Sequence, residues 1–112
     1  MTVVTATDRD HFLKDVQKVV NDDYFKFMPQ RMDMAPVLLL GPVTQKTKYV
    51  RIYINENDHR SVWGFINLED TGKFKAGDLL KADGWKTPAL NFARGNIFNN
   101  ASFSCCKWTG VL

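Results

Sequence analysis

Residues 48–68 read KYVRIYINENDHRSVWGFINL, and this stretch decides the fold. Two runs, Lys48–Ile54 and Ser61–Leu68, are rich in β-branched and aromatic residues, and the residues between them, Asn55–Arg60, are polar and turn-like. Such side chains suit a pleated, half-buried surface, so the stretch predicts a β-hairpin. Successive side chains of a strand point to opposite faces. Val50, Ile52 and Ile54 therefore share one face, and Tyr49, Arg51 and Tyr53 the other. In the second run Val62, Gly64, Ile66 and Leu68 alternate with Trp63, Phe65 and Asn67. The pattern predicts one aliphatic face and one aromatic face that carries an arginine.

Working outward, residues 8–22 predict a helix. Phe12, Val16, Val19 and Val20 recur at helical spacing, with Leu13 beside them, and Lys14, Asp15, Gln17 and Lys18 fall opposite. Thr7 is the expected N-cap, with Asp10 three residues on, and Asp8 and Asp10 suit the positive end of the helix dipole. Tyr24 and Phe27 extend the stripe, and Pro29 stops it. The stripe is the natural cover for the aliphatic face of the hairpin. Pro29, Pro36, Gly41 and Pro42 then punctuate a Met-rich segment in which Val37–Leu40 reads as a short buried strand and Thr44–Thr47 as a turn.

Beyond the hairpin, Glu69-Asp70-Thr71-Gly72 and Asp83-Gly84 read as turns, with strand character from Lys73 and from Leu79 to Ala82. Thr87 as cap, Pro88 at the first position and Gly95 past the end predict a short helix near 88–94. Phe103–Trp108 reads as a last strand. The fold class is therefore α+β: an antiparallel sheet of about four to five strands, built from hairpins and packed against one N-terminal helix, with the short helix near 88–94 in addition. The length of 112 residues and the absence of any repeat or linker predict a single domain, 1–112.

Composition narrows the function classes. Apolar residues make up 45% and charged residues 24%, an ordinary globular balance. The longest apolar run, Val37–Leu40, is far short of the roughly 20 residues a membrane span needs, so no membrane partner is expected. Residues 1–8 lack a basic segment and a continuous apolar run, so no export signal is expected, and Asn100-Ala101-Ser102 is read as a chance glycosylation pattern. The neighbouring Cys105 and Cys106 strain any bridge between themselves and are too few to staple a secreted fold, which points to a reducing cytoplasm.

Most catalytic chemistry finds no motif. His11 and His59 are the two histidines, and no Cys or His pair has zinc-ligand spacing. There is no phosphate-binding loop and no dinucleotide fingerprint, so no metal or cofactor is expected. A thiol–imidazole pair would need the 55–60 loop to bring His59 to Cys105 or Cys106, and a buried structural pair of cysteines is the simpler reading. Asp22-Asp23 and Glu69-Asp70 read as solvated acids, and Glu56-Asn57-Asp58 offers too few oxygens for a divalent ion. No residue is assigned a catalytic role.

Charge is unevenly spread. Residues 1–70 carry nine Lys/Arg against ten Asp/Glu, and residues 71–112 carry six against two. Residues 73–98 read KFKAGDLLKADGWKTPALNFARGNIF, in which Lys73, Lys75, Lys81, Lys86 and Arg94 interleave with Phe74, Trp85 and Phe92. Lysines attract phosphate in a salt-dependent way, and bases stack on exposed aromatic rings. One reading is therefore a single-stranded nucleic-acid module in which Tyr49, Arg51, Tyr53 and Trp63 stack or clamp while Lys73, Lys75, Lys81, Lys86 and Arg94 hold phosphate. The same residues also fit a plain role, aromatics as core and lysines as a solvated edge. Within this segment, Gly77-Asp78, Leu80-Lys81, Trp85-Lys86-Thr87-Pro88-Ala89 and Ala93-Arg94-Gly95-Asn96-Ile97-Phe98 together resemble a segment of small uncharacterised proteins of tailed bacteriophages, over about a quarter of the chain. The resemblance implies a phage-encoded protein in an infected bacterial cytoplasm and carries over no activity or site residue. A second reading is accordingly an interaction protein that binds and modulates a host enzyme through Met28, Met32, Met34 and Trp85. A homodimer on the aromatic face is compatible with both.

Overall fold

The computed structural model describes residues 4–27, 29–30, 37–44, 46–56, 59–70, 73–85, 87–99, 106–107 and 110–111, with Glu56 and His59 described by their backbone alone. Helix α1 (Ala6–Phe27) is followed by five strands, β1 (Leu38–Leu40), β2 (Tyr49–Glu56), β3 (His59–Asn67), β4 (Asp78–Leu80) and β5 (Gly95–Asn96), and by the small strands β6 (Cys106–Lys107) and β7 (Gly110–Val111). The five strands form an antiparallel meander in chain order, and β6 pairs with β7 in a second sheet. This is the expected α+β class with α1 packed on the sheet.

Helix α1 begins two residues earlier than expected. Thr5, not Thr7, is the cap: the Asp8 amide donates to Thr5 Oγ1 at 3.1 Å, and the Thr5 amide donates to Asp8 Oδ2 at 3.0 Å. This reciprocal pair satisfies two amides that the first turn leaves without helical partners. The helix buries Phe12, Val16, Val20 and Tyr24, one residue per turn at four-residue spacing. Gln17, on the flank, accepts a hydrogen bond from the Leu38 amide at 2.8 Å and so ties β1 to the helix.

The central hairpin is longer than expected, since β2 runs to Glu56 and β3 starts at His59, leaving two residues between them where six were read as turn. Its register contains one irregularity. Ile52 lies opposite Gly64 and Tyr53 opposite Val62, so Trp63 is an extra residue in β3. A β-bulge of this kind carries neighbouring side chains to the same face. The strict alternation of Trp63 with its neighbours is thereby broken: Trp63 joins Val50, Ile52, Ile66 and Leu79 in the core beneath α1, while Val62 moves to the opposite side with Phe65. Gly64 makes room for this core. A Cβ at position 64 would lie 2.7 Å from Cγ2 of the buried Val111. The β6–β7 hairpin can therefore settle against β3, where the indole N–H of Trp63 donates to the Lys107 carbonyl at 2.8 Å.

The short helix expected near 88–94 does not form. Pro88 bridges to Ala82, the Ala89 amide donates to the Lys81 carbonyl at 2.7 Å, and the Arg94 amide donates to the Leu79 carbonyl at 2.8 Å. Amides that a helix would turn inward are spent on the open edge of β4. So short a helix gains little on its own, because isolated helices below about 12 residues are marginal. Residues 81–85 and 87–94 instead form an irregular arm, with Asp83 and Gly84 amides both donating to the Thr87 carbonyl at its tip.

A polar corner fixes the approach to β4. Asn67, the buried polar residue of β3, donates from Nδ2 to the Glu69 and Lys75 carbonyls at 2.8 and 2.9 Å. Asp70 accepts from the Ala76 amide at 2.7 Å and Asp78 from the Lys75 amide at 2.8 Å. Asp70 is thus a loop-closing acceptor rather than a merely solvated acid. Among the described residues, no helix is long and apolar enough to cross a membrane.

Candidate functional site

The sheet face turned away from α1 holds the groups that sequence reasoning singled out on β2. Three residues there are fully buried, Phe65, Phe74 and Leu80, with Tyr49, Val62, Ala82 and Ala93 packed partly against them. The 81–94 arm folds over this face and brings Trp85 to β2. Arg51 anchors the arm: its Nε donates to the Trp85 carbonyl at 2.6 Å, and its guanidinium carbon sits 4.3 Å from the Trp85 ring centre. Tyr53 meets the same indole edge-on, with ring centres 5.8 Å apart and planes at 65°. Arg60 lies 5.6 Å over the Tyr53 ring. The result is a continuous file of cation, ring, ring, cation: Arg60, Tyr53, Trp85, Arg51. The indole is half-buried, as are Tyr49, Arg51 and Tyr53.

Beside this file lies a pocket of about 200 Å³ lined by Gly41, Pro42, Thr47, Tyr49, Arg51 and Phe65. The turn that forms its outer wall is held by the Thr44 amide donating to Thr47 Oγ1 at 2.9 Å. A second pocket, of about 310 Å³, opens at the start of α1 between Asp8, His11, Asp15 and the exposed Phe98, where His11 and Asp15 stand 3.4 Å apart. The first pocket has a guanidinium and aromatic walls, and the second has carboxylates.

The remaining expected phosphate contacts are scattered. Lys73 donates to the Leu90 carbonyl and lies 5.5 Å over the Phe74 ring, so it braces the arm. Lys75 and Lys81 are exposed on either side of β4. Arg94 stacks 3.9 Å over Phe92, and its Nε is buried with no hydrogen-bond partner among the described residues. Lys86 lies outside the described residues, as do Met28, Met32, Met34 and Cys105. Trp63 leaves the site altogether: at 1% exposure in the helix-side core it has no face for a base. Two members were missed, Arg60 and, as a stacking residue, Trp85. Arg60 was hidden because a six-residue turn was read where β3 had already begun. No family model, no curated protein and no solved structure matches the chain.

Proposed function

We propose that the protein is a small nucleic-acid-binding module that holds single strands on the sheet face opposite α1. The observation that carries this reading is the file Arg60–Tyr53–Trp85–Arg51, in which two half-buried rings in contact are flanked by a guanidinium group at each end. Rings offer a stacking surface to any base, and guanidinium groups take phosphate oxygens in paired hydrogen bonds. Single strands are favoured over duplexes because their bases are free to unstack onto protein rings.

The test is a salt titration of binding to single-stranded DNA and RNA, followed by tryptophan fluorescence. Two phosphates held by Arg51 and Arg60 give a slope of log affinity against log salt of about −1.4, and Arg60→Ala reduces it by about 0.7. Tyr53→Ala costs about 1–3 kcal/mol of binding. Failure of any oligonucleotide to bind at low salt would overturn the reading.

A second reading is supported by exposed apolar side chains, on the end of α1 and on β1, where Leu39 lies opposite Tyr53. Phe25 and Phe27 at the end of α1 and Val37 and Leu39 at β1 are large apolar side chains exposed to solvent. They suit a protein partner, and that mode predicts a complex that survives high salt.

A further inference from the structure

We propose that the 200 Å³ pocket beside the aromatic file takes one unstacked base of the bound strand, with that nucleotide's phosphate on Arg51. This rests on the reading of the open face as a single-strand platform and adds a defined subsite to it.

The lining suits a planar ring that carries an anion. Tyr49 supplies aromatic surface from β2, and Phe65 of β3, only 2% exposed, closes the pocket from the buried cluster behind it. Gly41 and Pro42 form the wall opposite. Gly41 sits close to Arg51, since a Cβ there would stand 3.4 Å from Arg51 Cβ, so a side chain at 41 would narrow the opening. None of the six lining residues is acidic. Arg51 uses Nε on the Trp85 carbonyl, and its two Nη groups have no hydrogen-bond partner among the described residues. Guanidinium with one donor committed and the terminal pair free is fixed in place yet open to a phosphate. Arg51 belongs to both the pocket and the file, so a strand stacked on Tyr53 and Trp85 passes the pocket mouth with a phosphate in reach. A base still in a duplex cannot enter, which makes the pocket a filter for unpaired strands.

Pro42→Trp tests the assignment, because Pro42 is exposed, lines the pocket and is not itself a member of the file. The probe is an oligothymidylate of about eight nucleotides, together with versions in which one base is replaced by an abasic sugar at each position in turn. The expected result is that one abasic position weakens binding to the natural protein about ten-fold. Pro42→Trp weakens the intact oligonucleotide by a similar factor and no longer responds to that abasic position. Pro42→Ala, which leaves the pocket open, keeps both properties. If Pro42→Trp binds the intact strand as well as or better than the natural protein, or still loses about ten-fold in affinity when that position is made abasic, the pocket holds no base and the face alone binds. If the natural protein binds no oligonucleotide, both the face and its pocket fall together.

Discussion

The two faces of the central sheet are made from the same two strands and end in different states. Beneath α1, Val50, Ile52, Ile66 and Leu79 are fully buried and Trp63 is sealed in with its N–H bonded. On the other side, Phe65 and Leu80 are just as buried, yet Tyr49, Arg51, Tyr53 and Trp85 remain half open. The cause is what covers each face. A helix of 22 residues and the β6–β7 hairpin close the first. An irregular arm, held by one arginine and one lysine, reaches across the second. Aromatic content therefore does not decide whether a face becomes core or platform, and the covering element does.

The sharpest test of this contrast is to truncate one tryptophan on each side. Trp63→Ala is expected to destabilise the fold by about 3–5 kcal/mol in urea titration, through a large cavity and an unsatisfied Lys107 carbonyl. Trp85→Ala is expected to cost about 1 kcal/mol or less, because its surface is partly wet already. Equal losses would break the distinction between a closed and an open face.

Gly64→Ala probes how tightly the closed face is filled. The added methyl meets Val111 and the Leu80 carbonyl, so a loss of about 1–3 kcal/mol is expected in the same assay. A neutral result would mean that β7 sits loosely on β3.

Arg51→Ala tests the open face. Loss of its hydrogen bond and stack is expected to cost about 1 kcal/mol, to shift Trp85 emission toward that of free indole and to speed proteolysis within 83–87. Arg51→Lys is expected to rescue little, since an ammonium cannot keep both the carbonyl bond and the planar stack.

The smallest effect lies at the rim of the closed face. The Thr5 amide, and then its hydroxyl, holds the Asp8 carboxyl below its ordinary value. The ionised form thus favours the fold above the unfolded value of about 3.9. That advantage is lost as pH falls through the lower folded value. Asp8→Asn should remove this acid-side dependence, read as a stability difference between natural and variant protein that shrinks on acidification.

Much of this arrangement is legible in the residues themselves. The Phe12–Val16–Val20 stripe and the β-rich runs around 48–68 each obey one period, and both formed where that period placed them. Three features escaped. The bulge adds one residue, and because tryptophan and glycine fit either face, no alternation rule could reveal it. The cap moved because Thr5 and Asp8 satisfy the same spacing as Thr7 and Asp10. The 88–94 helix failed because Pro88 and Gly95 mark turns as readily as helix ends, and the free edge of β4 competed for the amides. Of the expected site, Tyr49, Arg51 and Tyr53 stand together on one face, whereas Trp63 faces away and the lysines scatter.

The bond from Trp63 to the Lys107 carbonyl joins residues 44 apart in sequence. During synthesis at about 5–20 residues per second, roughly two to nine seconds separate the emergence of the indole from that of its acceptor. Through that interval the hairpin and α1 can meet, but the floor of the core is missing a wall, and the indole N–H must stay with water. Completion of this fold is in that sense a late event on the ribosome, timed by residues 106–111 and not by the strands that form its centre.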